Sequence, residues 1–275
     1  MRALIHIEWL KIKKYPAFWW MLGIVLLSYP GINIMFYNVY EQVTTGKEMT
    51  SNIAKMLLGN PFVFPEAWHT VAYFSSFFVL LPAILVIMLV TNEYNYRTHR
   101  QNIIDGWSRH EFMTSKLIDV AIIALVATLI FTIVAFSFGI YFNTSSLGRW
   151  AEQLYYIPLF FLQTFAQLSI AFLLAYLLKK AFIALGIFLF YYLIVENILV
   201  GYLRYKKLSF GKYLPFEVSD RILVSPAFTG NFGKDAKTYY EEALAAVNTQ
   251  VLLTLLLTGI IWLICFRLHR KRDLS

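Results

Sequence analysis

Six apolar stretches, each about 20 residues long, dominate the chain at residues 17–37, 71–90, 120–142, 155–178, 181–203 and 247–266. A helix needs about 20 apolar residues to cross a hydrocarbon core of roughly 30 Å, because every backbone N–H and C=O must be paired internally there. Five of the six stretches hold no Asp, Glu, Lys or Arg, and the fifth in order holds one, Glu196. One such charge at mid-membrane costs about 2.5 to 3.5 kcal/mol on insertion scales, so their near-absence marks helices built for lipid. The sequence therefore predicts an all-α integral membrane protein with six transmembrane helices, forming a single domain over residues 1–275.

Composition points the same way, with 59% apolar and 15% charged residues, against about 25% charged in soluble domains. The net charge of +8 does not indicate nucleic acid, because the basic residues cluster beside apolar runs and not along one soluble face. Six spans put both termini on one side of the bilayer. If that side is the cytoplasm, it holds fourteen of the 24 Lys and Arg residues, as the positive-inside bias requires. Arg204, Lys206 and Lys207, beside the end of the fifth span, run against that bias.

Lys11, Lys13 and Lys14 precede Phe18, Trp19, Trp20 and Met21 with no small-residue cleavage site, so this stretch reads as an uncleaved first span. Within residues 1–16, Met1, Ile5, Trp9 and Ile12 share one helical face and Arg2, His6 and Lys13 another, the pattern of a helix lying in the inner interface. Cys265, the single cysteine, excludes an intrachain disulfide.

Residues 92–116 are polar and charged, with too little apolar surface for a core of their own. Asp105 and Gly106 form a turn pair, and Ser108 with Glu111 forms a capping box that starts the third helix near Arg109. A short helix over residues 94–104, then the turn, then the third helix would make a rigid projection. Its Arg97, Arg100, Gln101, Asn102 and Arg109 could dock on a soluble partner, or the segment is a solvated loop obeying the charge bias. Residues 205–246 carry Pro215, Pro226, Gly230 and Gly233 around the apolar Ile222 to Val224, which predicts short interfacial or re-entrant pieces or a plain external loop.

Several chemistries lack their residues. Gly46, Gly211 and Gly233 precede lysine, but no Ser or Thr follows to complete a phosphate-cradling loop, so nucleotide would be handled by another chain. The five histidines form no i, i+4 pair for zinc, and no G-x-S-x-G elbow is present. Glu196, about 22 Å along its helix from Ala181, is an intramembrane carboxylate and so a candidate contact for substrate or cation. The competing reading has it snorkel outward or pair with a basic residue. Glu241 and Glu242 read as solvated residues of a helix start.

The stretch from Glu93 resembles the segment after the second helix in permeases of the ABC-2 type transporter family. The matching residues are the acid Glu93 at the span end, Thr98, the apolar pair Ile103 and Ile104, Gly106, Ser108 with Arg109, and Lys116 opening the third span. Glu8, Leu10, Lys11 and Lys13 before a Trp-rich span resemble that family's amphipathic connecting helix. Arg97 departs from the pattern, since Gly is common there. The resemblance implies an ABC-2 (type V exporter-like) permease with a connecting helix at residues 1–16 and a cytoplasmic coupling helix within residues 92–116. Glu93, Arg97, Thr98, Arg100, Gln101, Asn102, Asp105, Gly106, Ser108, Arg109 and Lys116 would form its ATPase-coupling surface. It further implies two copies of an ATPase subunit that carry the ATP and Mg, a second permease subunit, identical or homologous, and no cofactor on this chain. The chain would not itself be an enzyme. It would lie in the bacterial cytoplasmic membrane with both termini inside, and export would be the usual direction. The alternatives are a membrane enzyme with an outer-face site near Glu196 and Glu241, or a secondary transporter or channel.

Overall fold

The computed structural model describes residues 13–45, 60–96, 108–142, 144–226 and 236–271, and everything described is helix, turn or irregular chain, with no strand. Helix α1 covers Pro16–Thr44, and proline in its first turn suits a position whose N–H has no intrahelical partner. Next come α2 (Glu66–Ser76) and α3 (Leu80–Asn95), then α4 (Arg109–Phe142) and α5 (Tyr156–Leu178). The chain continues through α6 (Ala181–Phe190), a π-turn at Tyr191–Val195 and α7 (Glu196–Tyr205). The short α8 (Pro215–Asp220) and the long α9 (Ala236–Lys271) complete the order.

Five helices are long and apolar enough to cross a membrane: α1, α4, α5, the continuous α6–α7 unit over Ala181–Tyr205, and α9 over Tyr240–Arg270. The pair α2 and α3, bent by 48°, makes a sixth if it is one broken span. Large apolar side chains such as Leu27, Ile133, Phe182 and Leu263 stand exposed on the outside of the bundle. Such a surface is stable only where the solvent is lipid. The chain is a multi-pass membrane protein.

The six expected stretches all fall within these helices, but their limits differ. The helix of the first span runs on to Thr44, and that of the third begins at Arg109, because each continues past the apolar core into residues that need only backbone pairing. The second span is not the straight rod expected at residues 71–90. Pro82 withholds an N–H and its ring crowds the carbonyl of Phe78, so the helix breaks just before it. The break is closed by tight i to i−3 bonds, Phe78 N–H to the Ser75 carbonyl at 3.0 Å and Val79 N–H to the Ser76 carbonyl at 3.1 Å.

Helix α5 sits centrally, packed by α3, α4, α6 and α9. It ends at Lys179, whose φ of 56° and bond to the Ala175 carbonyl stop the helix, and extended Lys180 starts α6 at once. Two apolar clusters stack along the bundle. One gathers Val86, Met113, Phe172, Tyr176, Phe188 and Trp262. The other gathers Tyr29, Phe62, Trp68, Phe74, Phe131 and Phe160. The second is sealed by the turn before α2, where Phe64 packs so closely on α4 that a Cβ at Gly139 would enter its ring.

Candidate functional site

Two polar constellations lie at opposite ends of the bundle. The first is at the end where α1 begins and the described part of α9 stops. Lys116, 5% exposed, donates from Nζ to Glu93 Oε1 at 2.7 Å and to Asp119 Oδ2 at 3.0 Å. A buried ammonium needs such partners, and two carboxylates sharing one cation hold the end of α3 against the start of α4. Asn92 Nδ2 donates to the Tyr15 hydroxyl at 2.7 Å, which brings in the residue preceding α1. Arg109 Nη1 donates to the carbonyls of His269 at 3.4 Å and Arg270 at 2.9 Å, in the last turn of α9. A guanidinium donating to carbonyls at this end of the helix complements its dipole. His269 also stacks on Phe112 and lies 3.2 Å from the Tyr176 hydroxyl of α5.

The capping box stands as the sequence predicts. Ser108 N–H donates to Glu111 Oε2 at 2.9 Å and Glu111 N–H donates to Ser108 Oγ at 3.2 Å. Glu93, Ser108, Arg109 and Lys116 therefore converge where α3, α4 and α9 end or begin. Arg97, Thr98, Arg100, Gln101, Asn102, Asp105 and Gly106 lie outside the described residues, as does most of the expected connecting helix, residues 1–12. Asp119, Tyr15, Asn92 and His269 were not singled out by the sequence. For Asp119 a signal existed, since it sits three residues after Lys116, on the same helical face.

The second constellation is a cavity of about 550 Å³ toward the far end of the bundle. It lies between the α2–α3 break, the α6–α7 helix, the α8 segment and the beginning of α9. Its wall includes Tyr73, Phe77, Tyr192 and Phe216, with Glu196, Glu217, Asp220, Arg204, Arg221 and Gln250 among the polar members. Glu196 follows directly on the π-turn, an irregularity that rotates the helix after it. It is 4% exposed, and its Oε1 accepts the Phe216 N–H at 2.8 Å and the Glu217 N–H at 2.7 Å. It neither snorkels outward nor pairs with a basic residue. The first-turn N–H groups of α8 satisfy it instead. Oε2 closes no hydrogen bond of standard geometry, although the Tyr191 hydroxyl stands near it.

Helix α8 is tucked back among the spans. Asp220 Oδ1 accepts from Gln163 Nε2 at 2.8 Å and from Gln167 Nε2 at 2.6 Å, both on α5. Gln167 lies about 16 Å along α5 from Tyr156, so the segment reaches roughly the middle of the bundle. Phe216 packs edge-on against Phe188 at 5.6 Å, and Thr254 Oγ1 of α9 donates to the Val218 carbonyl at 3.4 Å. Of residues 205–246, the stretch 213–224 thus packs against α5, α6 and α9. Farther along, the Val224 carbonyl accepts from His69 Nε2 at 2.6 Å.

Glu217 Oε1 is 2.7 Å from Arg221 Nη2, a partly exposed pair within the segment. Glu241 is exposed and does not line the cavity, so the expected grouping of Glu196 with Glu241 does not occur. Gln163 and Gln167 are i, i+4 amides in an otherwise apolar span. That spacing was the readable sign of a buried polar face, and the sequence reading passed over it. Among the described residues, no group of three His, Cys, Asp or Glu side chains could hold a metal ion.

No curated protein matches the chain. A family model described as a protein of unknown function, DUF2705, matches residues 33–275. The match takes in the α2–α3 break, the Lys116 cluster and the whole cavity wall, and the chain belongs to the DUF2705 family.

Proposed function

We propose that this chain is the permease subunit of an ATP-binding cassette transporter of the ABC-2 (type V exporter-like) class. Two six-span subunits, identical or homologous, would face each other in the bacterial cytoplasmic membrane with termini inside. Two copies of a separate ATPase subunit would bind beneath them, hold the ATP and Mg, and drive export. The observation that carries the reading is the convergence at the terminal end. Tyr15, Asn92, Glu93, Arg109, Lys116, Tyr176, His269 and Arg270 tie the ends of α1, α3, α4, α5 and α9 together through polar contacts.

A projection that receives mechanical work has to be anchored to several spans at once, and contacts of this kind supply the anchorage. The resemblance of residues 93–116 to a coupling segment, and the absence of a phosphate-binding loop in this chain, favour an engine on a partner. An outer-face enzyme draws less support, because Glu241 stands away from the Glu196 cavity.

Affinity purification in mild detergent tests the proposal. An ATPase with a phosphate-binding loop should be recovered with the wild-type chain and lost with Asp105→Ala at unchanged monomer stability, and with Arg109→Glu in a chain that stays folded. Labelling of single cysteines at residues 97–107 by an impermeant reagent from outside intact cells would overturn it.

A further inference from the structure

We propose that the cavity between the α2–α3 break, α6–α7, α8 and α9 is a binding site for an amphipathic organic cation bearing N–H donors, a primary ammonium attached to an apolar body. The inference names a substrate class for the transport reading, and only its transport meaning rests on that reading. Binding itself belongs to this chain alone.

The charge balance of the wall is the first argument. Glu217 is paired with Arg221, and Arg204 stands exposed at the rim without an ion pair. Glu196 and Asp220 remain, two lining carboxylates whose contacts are neutral amide N–H groups and, for Glu196, the Tyr191 hydroxyl, and not cations. Neutral donors hold a carboxylate in place but leave its charge uncompensated in a bundle surrounded by lipid. A cation in the cavity compensates it.

Unused acceptors are the second argument. Glu196 and Gln250 are 4% and 6% exposed and both line the cavity; Gln250 Oε1 is buried without a hydrogen bond, and Glu196 Oε2 has only the Tyr191 hydroxyl close by. The Gln250 oxygen calls for a donor from outside the chain, and a carboxylate oxygen beside one hydroxyl still has room for a second. Asp220, held through Oδ1, adds a third acceptor. A ligand with several N–H groups on one cationic nitrogen matches this set, whereas a quaternary nitrogen does not.

Size and lining supply the apolar half. About 550 Å³ is far larger than a hydrated metal ion needs and falls within the range of organic ligand sites. Tyr73, Phe77, Tyr192 and Phe216 put four aromatic rings on the wall, which suits both an apolar body and an ammonium near a ring face.

Binding of 1-naphthylmethylammonium, a fluorescent primary amine, to the purified chain in phosphatidylcholine nanodiscs without any ATPase tests the site. The expected result is saturable binding that 1-naphthylmethanol, neutral and of the same shape, does not displace. The N,N,N-trimethyl analogue should bind about tenfold or more weakly, the loss of a charge-assisted hydrogen bond. Glu196→Gln keeps an acceptor for the two α8 N–H groups and removes the charge, and Asp220→Asn does the same toward Gln163 and Gln167. Each should weaken the amine at unchanged thermal stability. Equal affinity for the neutral alcohol and the amine in the wild-type chain overturns the proposal without any variant, and so does full amine affinity in both folded variants. Competition by added phosphatidylethanolamine assigns the ammonium to a lipid headgroup, and its absence assigns it to a free amine. Loss of ATPase recovery with intact amine binding would remove the transporter reading and leave the site standing.

Discussion

Arg109 Nη1 lies 2.9 Å from the carbonyl oxygen of Arg270, so the first turn of α4 caps the last turn of α9 across the width of the bundle. The contact is a side-chain cap at long range, and it makes the end of the final helix depend on the residue that opens the third span. Arg109→Ala should increase amide exchange at residues 266–271 by several-fold, corresponding to about 1 kcal/mol of local stability. Hydrogen exchange with mass spectrometry on the detergent-purified chain reads this. Unchanged exchange at these residues would show that the cap is dispensable.

Lys116 bridges Glu93 and Asp119, with all three side chains largely buried. Lys116→Met removes the cation that both carboxylates accept from and should cost about 3 to 5 kcal/mol, the penalty of breaking a buried pair from one side. Thermal unfolding in detergent would show a clear loss. The triple variant with Glu93→Gln and Asp119→Asn should recover much of it, which separates lost charge balance from lost packing.

The amides of Gln163 and Gln167 hold α8 through a single oxygen of Asp220. Replacing both glutamines with leucine should release residues 213–226, seen as faster proteolysis or exchange confined to that stretch. Gln163→Leu and Gln167→Leu alone should each do less than half as much, because either amide can still hold the carboxylate.

Gly139 marks the closest approach of the turn before α2 to α4, with the ring of Phe64 occupying the space a Cβ would take. Phe64 is itself buried, so it has nowhere to swing. Gly139→Ala should therefore destabilise by about 1 to 3 kcal/mol through overpacking, despite the better helix propensity of alanine. Gly186 has nothing near its Cβ position, and Gly186→Ala is the matched control that should be neutral or mildly stabilising.

Much of the bundle was legible because its determinants are local. Apolar length set the number of spans, and Ser108 with Glu111 set the start of α4, since a capping box involves only residues three apart. The two polar sites were only half legible. Glu93, Arg109 and Lys116 could be chosen from position, yet their partners at Asp119, His269 and Arg270 depend on which helices meet. Glu196 stood out as the lone charge of its span, but Asp220 and Gln250 join it through the inward course of α8, a tertiary event. The break before Pro82 was readable in principle. A proline about ten residues inside an apolar run withholds one backbone donor wherever the helix goes.

That break divides the second span into two limbs with different loads. The α3 limb ends beside Glu93, in the block that gathers five helices, while the Tyr73 to Phe77 stretch forms part of the cavity wall. A rod of 16 residues is about 24 Å long, so a 10° swing about the elbow moves its far tip by about 4 Å. By this leverage a small rotation beside the cavity wall would become a displacement of ångströms beside Glu93.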